Sequence, residues 1–158
     1  MRENTFFISC NCGCGNALEC KTIDDIVYVS FLSGDFYIRQ GVFNNIRERF
    51  KMLFGKHLLK DIIVDEKDLI NFRDFLLSVP CENDEIVDND SFIHIDYEKE
   101  FGEFGIWLIS TLSDKDILLG RIHRPYEIAL NKKERDILIK KINYRLKQHN
   151  KRKENKNE

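Results

Sequence analysis

One residue pattern, a strand that turns directly into a capped helix, constrains the fold of this chain more than any other. A short apolar run ends at Val64 and is followed by Asp65, a preferred helix N-cap, with Asp68 three residues later. Val64 and Leu69 occupy the two positions of a hydrophobic staple. Apolar residues then recur at helical spacing before Pro80, at Leu69, Phe72, Leu76 and Val79. The pattern predicts a strand and, after Asp65, an amphipathic helix.

The same pattern occurs a second time near the end of the chain. Tyr126–Leu130 is followed by Asn131 as N-cap and by Glu134 at the capping-box position. Aligning Asp65 with Asn131 also places Phe72 on Leu138 and Leu76 on Ile142. One interpretation is a duplication of a β-rich unit that ends strand–turn–helix. The alternative is that every such junction needs these residue types, because the first amides of any helix require a cap.

Several further elements follow from local patterns. Phenylalanine, isoleucine and valine runs predict short strands at 6–8, 26–31, 92–95, 106–109 and 117–122. A helical apolar stripe predicts a third helix at 42–54, ended by Gly55. We therefore expect an α+β fold with a mostly antiparallel sheet and three amphipathic helices. The expected organisation is an N-terminal unit, 1–80, a C-terminal unit, 81–149, and a basic disordered tail, 150–158, and the two units could form one domain.

The composition is that of a compact protein with a substantial core. Twelve phenylalanines among 158 residues supply large apolar area, and two prolines leave little room for a linker. The apolar run near the start is too short for a signal peptide, and no segment has the length of a membrane span. An odd number of cysteines argues against a disulfide framework. We therefore expect a cytoplasmic protein with reduced thiols and no membrane partner.

Four of the five cysteines lie within eleven residues, separated by glycines. Their spacing allows a structural zinc site with the ligands Cys10, Cys12, Cys14 and Cys20, although it is not the usual zinc knuckle. Redox chemistry is a second interpretation. The third is simple packing, since cysteine behaves as a small buried hydrophobe and glycine permits a tight turn.

Charge is distributed unevenly along the chain. The residues from Lys132 onward carry a net charge of +7, and the remainder carry −9. Between Glu82 and Glu103 nine acidic residues stand against one lysine. Such asymmetry can steer a partner, although charge runs often only solvate a surface. The candidate partner-binding residues are Asp84, Glu85, Asp88 and Asp90.

No catalytic motif is present, and we do not expect an enzyme. His94 and Asp96 would share one face of a strand, but no second signature accompanies them. For nucleic-acid binding, the basic face of the predicted helix 42–54 offers Arg47, Arg49 and Lys51. No known nucleic-acid-binding module accompanies these cations.

Four stretches in the first 80 residues resemble small uncharacterised proteins encoded by phages and prophages of low-GC Gram-positive bacteria. They are 10–15 (CNCGCG), 28–31 (YVSF), 35–41 (DFYIRQG) and 46–56 (IRERFKMLFGK). The resemblance implies an accessory phage protein that binds a host factor or a defence complex in the host cytoplasm and does not catalyse a reaction. The alternative is a zinc-stabilised nucleic-acid-binding module.

Overall fold

A computed structural model describes residues 4–11, 15–32, 58–87, 89–98, 102–111 and 126–157. These residues form seven strands and two helices, which confirms an α+β fold with antiparallel sheets. The predicted helix at 42–54 and the predicted strand at 117–122 lie outside the described residues. In chain order the elements are β1 (Thr5–Ser9), β2 (Ala17–Ile23), β3 (Ile26–Leu32), β4 (Leu58–Val64), α1 (Glu66–Ser78), β5 (Ser91–Glu98), β6 (Glu103–Ser110), β7 (Glu127–Leu130) and α2 (Lys132–Lys156).

The strands form two antiparallel sheets. Sheet A has the order β1-β2-β3-β7, and sheet B has the order β4-β6-β5. β2 and β3 are joined by a two-residue turn, Asp24-Asp25, in which both residues have positive φ angles of 50° and 60°. Two left-handed residues in succession are typical of the type I′ turn, whose twist matches that of a hairpin.

The two sheets exchange strands between the halves of the chain. β4 follows sheet A in the sequence but pairs with β6 in sheet B, and β7 follows sheet B but pairs with β3 in sheet A. Each helix also contacts the sheet that does not contain the strand before it. Phe72 and Phe75 of α1 stack on Phe6 of β1, with ring centroids 6.0 and 5.1 Å apart. α2 in turn lies against β5, where Nε of Arg145 donates to the carbonyl oxygen of Ile95 at 3.0 Å.

Both helix caps have the geometry that the sequence predicts. The Asp65 carboxylate accepts the N–H of Asp68 at 2.7 Å. Asn131 accepts the N–H of Glu134 at 2.9 Å, and the Glu134 carboxylate accepts the N–H of Asn131 at 3.1 Å, which completes a capping box. These bonds satisfy amides that have no partner within the helix.

The core lies between the sheets and the helices. Its fully buried side chains come from both sheets and from the apolar faces of both helices, among them Leu18, Val29, Phe72, Ile106, Leu108 and Ile142. In sheet B the Trp107 ring covers Gly105 so closely that a Cβ there would lie 2.5 Å from the ring. Glycine is therefore required at position 105.

The end of α2 differs from the expected disordered tail at 150–158. The helix continues to Lys156, with residues 151–157 exposed. The segment is rich in lysine, arginine and glutamate, which are strong helix formers. Cationic side chains in the last turn also interact favourably with the helix dipole.

Candidate interaction surface

The segment between α1 and β5, residues 82–90, is called here the acidic loop. It is attached along its length to β7 and to the start of α2. The N–H of Lys132 donates to the carbonyl oxygen of Asn83 at 2.9 Å, and Nδ2 of Asn131 donates to that of Glu85 at 2.9 Å. Asn89 then bonds Ala129 through both amide atoms, donating at 2.7 Å and accepting at 3.1 Å. The loop backbone is therefore held in place although the segment has no regular secondary structure.

Ile86 projects from this anchored backbone into solvent. Its side chain is 96% exposed, the highest value among the large apolar residues of the described chain. Asp84 and Glu85, directly before it, are also exposed. The N–H of Glu85 donates to the Asn83 side chain at 2.8 Å, which fixes a local turn. An aliphatic side chain and two carboxylates thus occupy the tip of the acidic loop.

The four acidic residues predicted to bind a partner do not form one group. Asp84 and Glu85 lie at the tip of the loop, whereas Asp90 is half-buried at its base. The Asp90 carbonyl oxygen accepts the N–H of Thr111 at 2.9 Å. Asp88 lies outside the described residues. Ile86 was not among the residues predicted from the sequence. Two adjacent aliphatic residues, Ile86 and Val87, within an acidic run could have indicated it.

One loop carboxylate is paired with the helix behind it. Glu82 and Nζ of Lys132 are 2.8 Å apart. The hydrogen bond from Lys132 lowers the pKa of Glu82, and the bond to Glu82 raises the pKa of Lys132. Asp84 raises the pKa of Lys132 further. Glu82 is also exposed, but the Lys132 ammonium offsets its charge, and Asp84 and Glu85 carry the negative charge at the tip of the loop.

A cavity of about 290 Å³ lies behind the acidic loop. Its walls include Val87 and Asn89 of the loop, Ser91 and Ile93 of β5, and Lys141 of α2. Within the described part of the chain, the buried Ser91 hydroxyl has no hydrogen-bond partner. Burial lowers the pKa of Lys141. The cavity is mostly apolar and adjoins the loop anchors.

The described cysteines have structural surroundings. Sγ of Cys10 accepts the N–H of Ile63 at 3.1 Å, and the next residue, Asn11, donates its N–H to the Ile63 carbonyl at 2.8 Å. The segment around Cys10 therefore connects β1 to the outer edge of β4. Burial, together with Glu19, raises the pKa of Cys20 well above its ordinary value. A thiol that stays protonated in the core is a poor nucleophile.

The sheet register separates two of the four predicted zinc ligands. Cys20 lies opposite Phe6 in the β1–β2 pair, and Cys10 lies four residues beyond Phe6, directly after β1. At the rise of a strand this spacing is about 13 Å, whereas thiolates on one zinc ion lie about 4 Å apart. Cys12 and Cys14 lie outside the described residues. Among those that are described, no cluster of three or more histidine, cysteine or carboxylate side chains has the geometry to hold a metal ion. One zinc ion bound by both Cys10 and Cys20 does not fit this register, so the four-cysteine site stays a prediction without support from the described pair.

His94 and Asp96 do lie in one strand, as the sequence predicts, but each has another contact. The His94 ring stacks on Trp107, with centroids 5.4 Å apart. Asp96 pairs with Arg145 at 3.3 Å and accepts the N–H of Tyr97 at 2.8 Å. Burial lowers the pKa of His94. His94 thus packs within sheet B, whereas Asp96 belongs to the contact between β5 and α2. The basic candidates Arg47, Arg49 and Lys51 lie outside the described residues.

Comparison of the chain with protein-family models, with curated proteins and with solved structures found no match. In the described part of the chain, neither helix is long and apolar enough to cross a membrane.

Proposed function

We propose that this chain is a phage-type accessory protein that acts by contact with a host protein or a defence complex, in the host cytoplasm. The observation that carries the proposal is the 96% exposure of Ile86 on a loop whose backbone is attached to β7 and α2. Single exposed aliphatic side chains are common on protein surfaces, so the anchored backbone beneath Ile86 supports the proposal more than its exposure alone. Here the loop holds the side chain away from the protein surface.

A pre-ordered loop suits binding because little conformational entropy is lost when a partner docks. Ile86 would enter an apolar pocket of the partner, and interfaces are commonly dominated by a few such central residues. Asp84 and Glu85 would face basic groups around that pocket. Opposite charges at the rim increase the association rate and select among partners more than they add affinity. The expected partner is therefore a protein with a basic surface around an apolar pocket, such as a nucleic-acid-handling protein.

A pull-down from host lysate at low and high salt tests the electrostatic part of this proposal. We expect a captured protein whose yield falls with salt and with the double substitution Asp84→Asn and Glu85→Gln. Glu154→Gln is a matched control, because it neutralises an exposed carboxylate at the far end of α2. Capture that is unchanged by salt and by neutralisation of the loop would contradict it.

A second candidate, a nucleic-acid-binding module, is favoured by one observation. α2 continues as a helix to Lys156 and carries the exposed cations Lys151, Arg152 and Lys153. Ordered cations of this kind can neutralise phosphates without reading bases. A mobility shift with random DNA or RNA that weakens steeply with salt would support this candidate over protein binding.

A further inference from the structure

The two sheets have four outer edge strands, and described residues cover the edges of three of them. The edge of β7 is closed by the Asn89 side chain, which bonds both main-chain groups of Ala129. The edge of β4 is closed by the segment 10–16: Cys10 and Asn11 bond Ile63, and Nδ2 of Asn16 donates to the Asp61 carbonyl at 3.4 Å. The edge of β5 lies beneath α2. Only β1 remains without such a cover among the described elements.

The register defines which main-chain groups of β1 point outward. Cys10 donates its N–H to the Asn16 carbonyl across the β1–β2 pair at 2.8 Å. Hydrogen-bonded positions alternate in an antiparallel ladder, so Phe6 and Ile8 also bond inward. The N–H and C=O groups of Thr5, Phe7 and Ser9 therefore face away from β2. Asn11, next in this series, donates its N–H to Ile63, and the free edge consequently ends at Ser9.

This edge is accessible and lacks the usual protection. Thr5, Phe7 and Ser9 are all exposed, Phe7 by 57%. No described residue donates to or accepts from their outward main-chain groups. Proteins commonly protect an edge strand with a charged residue, a proline or a bulge. β1 has the sequence TFFIS and contains neither charge nor proline, and its pairing with β2 is regular.

We propose that β1 pairs antiparallel with β1 of a second copy of this chain, with Phe7 opposite Phe7 on the two-fold axis. This register places Thr5 opposite Ser9, so the strand is nearly self-complementary. It uses every outward group of β1 and forms about six main-chain hydrogen bonds. The two Phe7 rings then form a cross-strand aromatic pair on the outer face of the joined sheet. The absence of charge means that two copies meet without repulsion.

A second copy fits this edge better than an unrelated peptide because the free groups are symmetric about Phe7. They belong to three residues, and the central one is the aromatic residue. An isologous contact repeats each bond on both sides of the axis and closes at two chains. The resulting dimer contains one continuous sheet made from both copies of sheet A.

The experiment measures molar mass by light scattering during size-exclusion chromatography, on the full chain and four variants. At about 100 µM protein, a dimer with a dissociation constant of about 10 µM is mostly associated. We expect twice the monomer mass for the unaltered chain. Phe7→Lys and Phe7→Glu should each be monomeric, because position 7 faces itself across the axis and like charges repel. An equimolar mixture of these two variants should regain the dimer mass.

Two further variants keep the test decisive. Ser9→Pro removes one outward N–H and leaves the bonds to β2 intact, as an edge position permits, and should also be monomeric. Ile23→Lys adds the same charge to the outer face of sheet A at an exposed position of β2, away from the edge, and should remain dimeric. Circular dichroism identifies any variant that has not folded, and the remaining variants decide. A monomeric unaltered chain, or dimers that persist in every folded β1 variant, would overturn the proposal.

Discussion

The Asn89 side chain binds the Ala129 backbone as a neighbouring strand would. Its Nδ2 donates to the Ala129 carbonyl at 2.7 Å, and its Oδ1 accepts the N–H of Ala129 at 3.1 Å. One side chain thereby closes the edge of β7 and attaches the acidic loop to the sheet. Stability and the presentation of Ile86 are consequently linked through this pair.

Asn89→Ala should lower the free energy of unfolding by about 1–3 kcal/mol, because it leaves both half-buried main-chain groups of Ala129 without these partners. Asn89→Asp should also destabilise the fold, since a carboxylate cannot donate to the carbonyl. Urea unfolding measures both effects. Asn143→Ala is a control, because Asn143 makes an exposed contact with Arg73. Equal stability of Asn89→Ala and Asn143→Ala would contradict the role assigned to Asn89.

The two helix caps should differ in their contribution to stability. Asp65→Ala removes one exposed capping bond and should cost about 1 kcal/mol. Asn131→Ala removes its half of the capping box and also the bond to the Glu85 carbonyl, and should cost about 2 kcal/mol. Chemical denaturation of both variants provides the comparison. A larger loss for Asp65→Ala would show that the Asn131 contacts to the acidic loop contribute nothing.

Stability should decrease as the pH falls below about 6.5, the ordinary pKa of histidine. Burial lowers the pKa of His149, and so do Lys153 and Arg152, while Glu66 opposes them. Its ring also contacts Tyr97 and Phe104 at centroid distances of 4.6 and 5.2 Å. The folded state therefore favours neutral His149. The unfolded chain binds its proton at higher pH, and so stability is full above pH 6.5 and falls below it.

The measurement is the urea midpoint at about pH 7.5 and about pH 5.5. The unaltered chain should have the lower midpoint at pH 5.5, and His149→Gln should reduce the difference. The pKa of His94 is also lowered by burial, so His94→Gln should reduce it as well. A midpoint that rises on acidification would contradict the direction assigned to both histidines.

Cys20→Ser should destabilise the protein more than Cys20→Ala. Cys20 is fully buried in the core, where a serine hydroxyl without a partner costs about 1–3 kcal/mol. Elemental analysis of the same two proteins tests the zinc prediction. Because Cys20 is about 13 Å along the sheet from Cys10, neither substitution should change the zinc content. Loss of one zinc ion per chain with Cys20→Ala would refute this reading of the register.

The local features of this fold could be predicted from the sequence because they are encoded by adjacent residues. The caps at Asp65 and Asn131 depend on side chains within three positions, and the apolar stripe from Leu69 depends on spacing alone. Both caps are confirmed, and so is the stripe up to Leu76. Val79, its predicted last member, is buried but follows the helix as its C-cap. The crossing of β4 and β7 into opposite sheets depends instead on pairing between distant residues, such as Val27 with Leu130, which no local pattern encodes.

The candidate site was only partly predictable for the same reason. Acidic composition indicated Asp84 and Glu85, which are exposed at the loop tip. It could not show that Asn89 bonds Ala129, forty positions away, and so could not distinguish an anchored loop from a solvated run. For the cysteines, the contact of Cys10 with Ile63 likewise depends on how β1 meets β4.

The central claim is that the anchored acidic loop binds a host protein through Ile86. The most direct measurement is quantitative mass spectrometry of proteins captured from host lysate by the unaltered chain, Ile86→Ser and Ile23→Ser. Ile23 is a matched control, because it is also an exposed isoleucine but lies on β2 and does not line the cavity behind the loop. We predict a protein that is captured by the unaltered chain and by Ile23→Ser, and at least about tenfold less by Ile86→Ser, which corresponds to about 1.4 kcal/mol of binding free energy. Equal capture by all three proteins would contradict the claim.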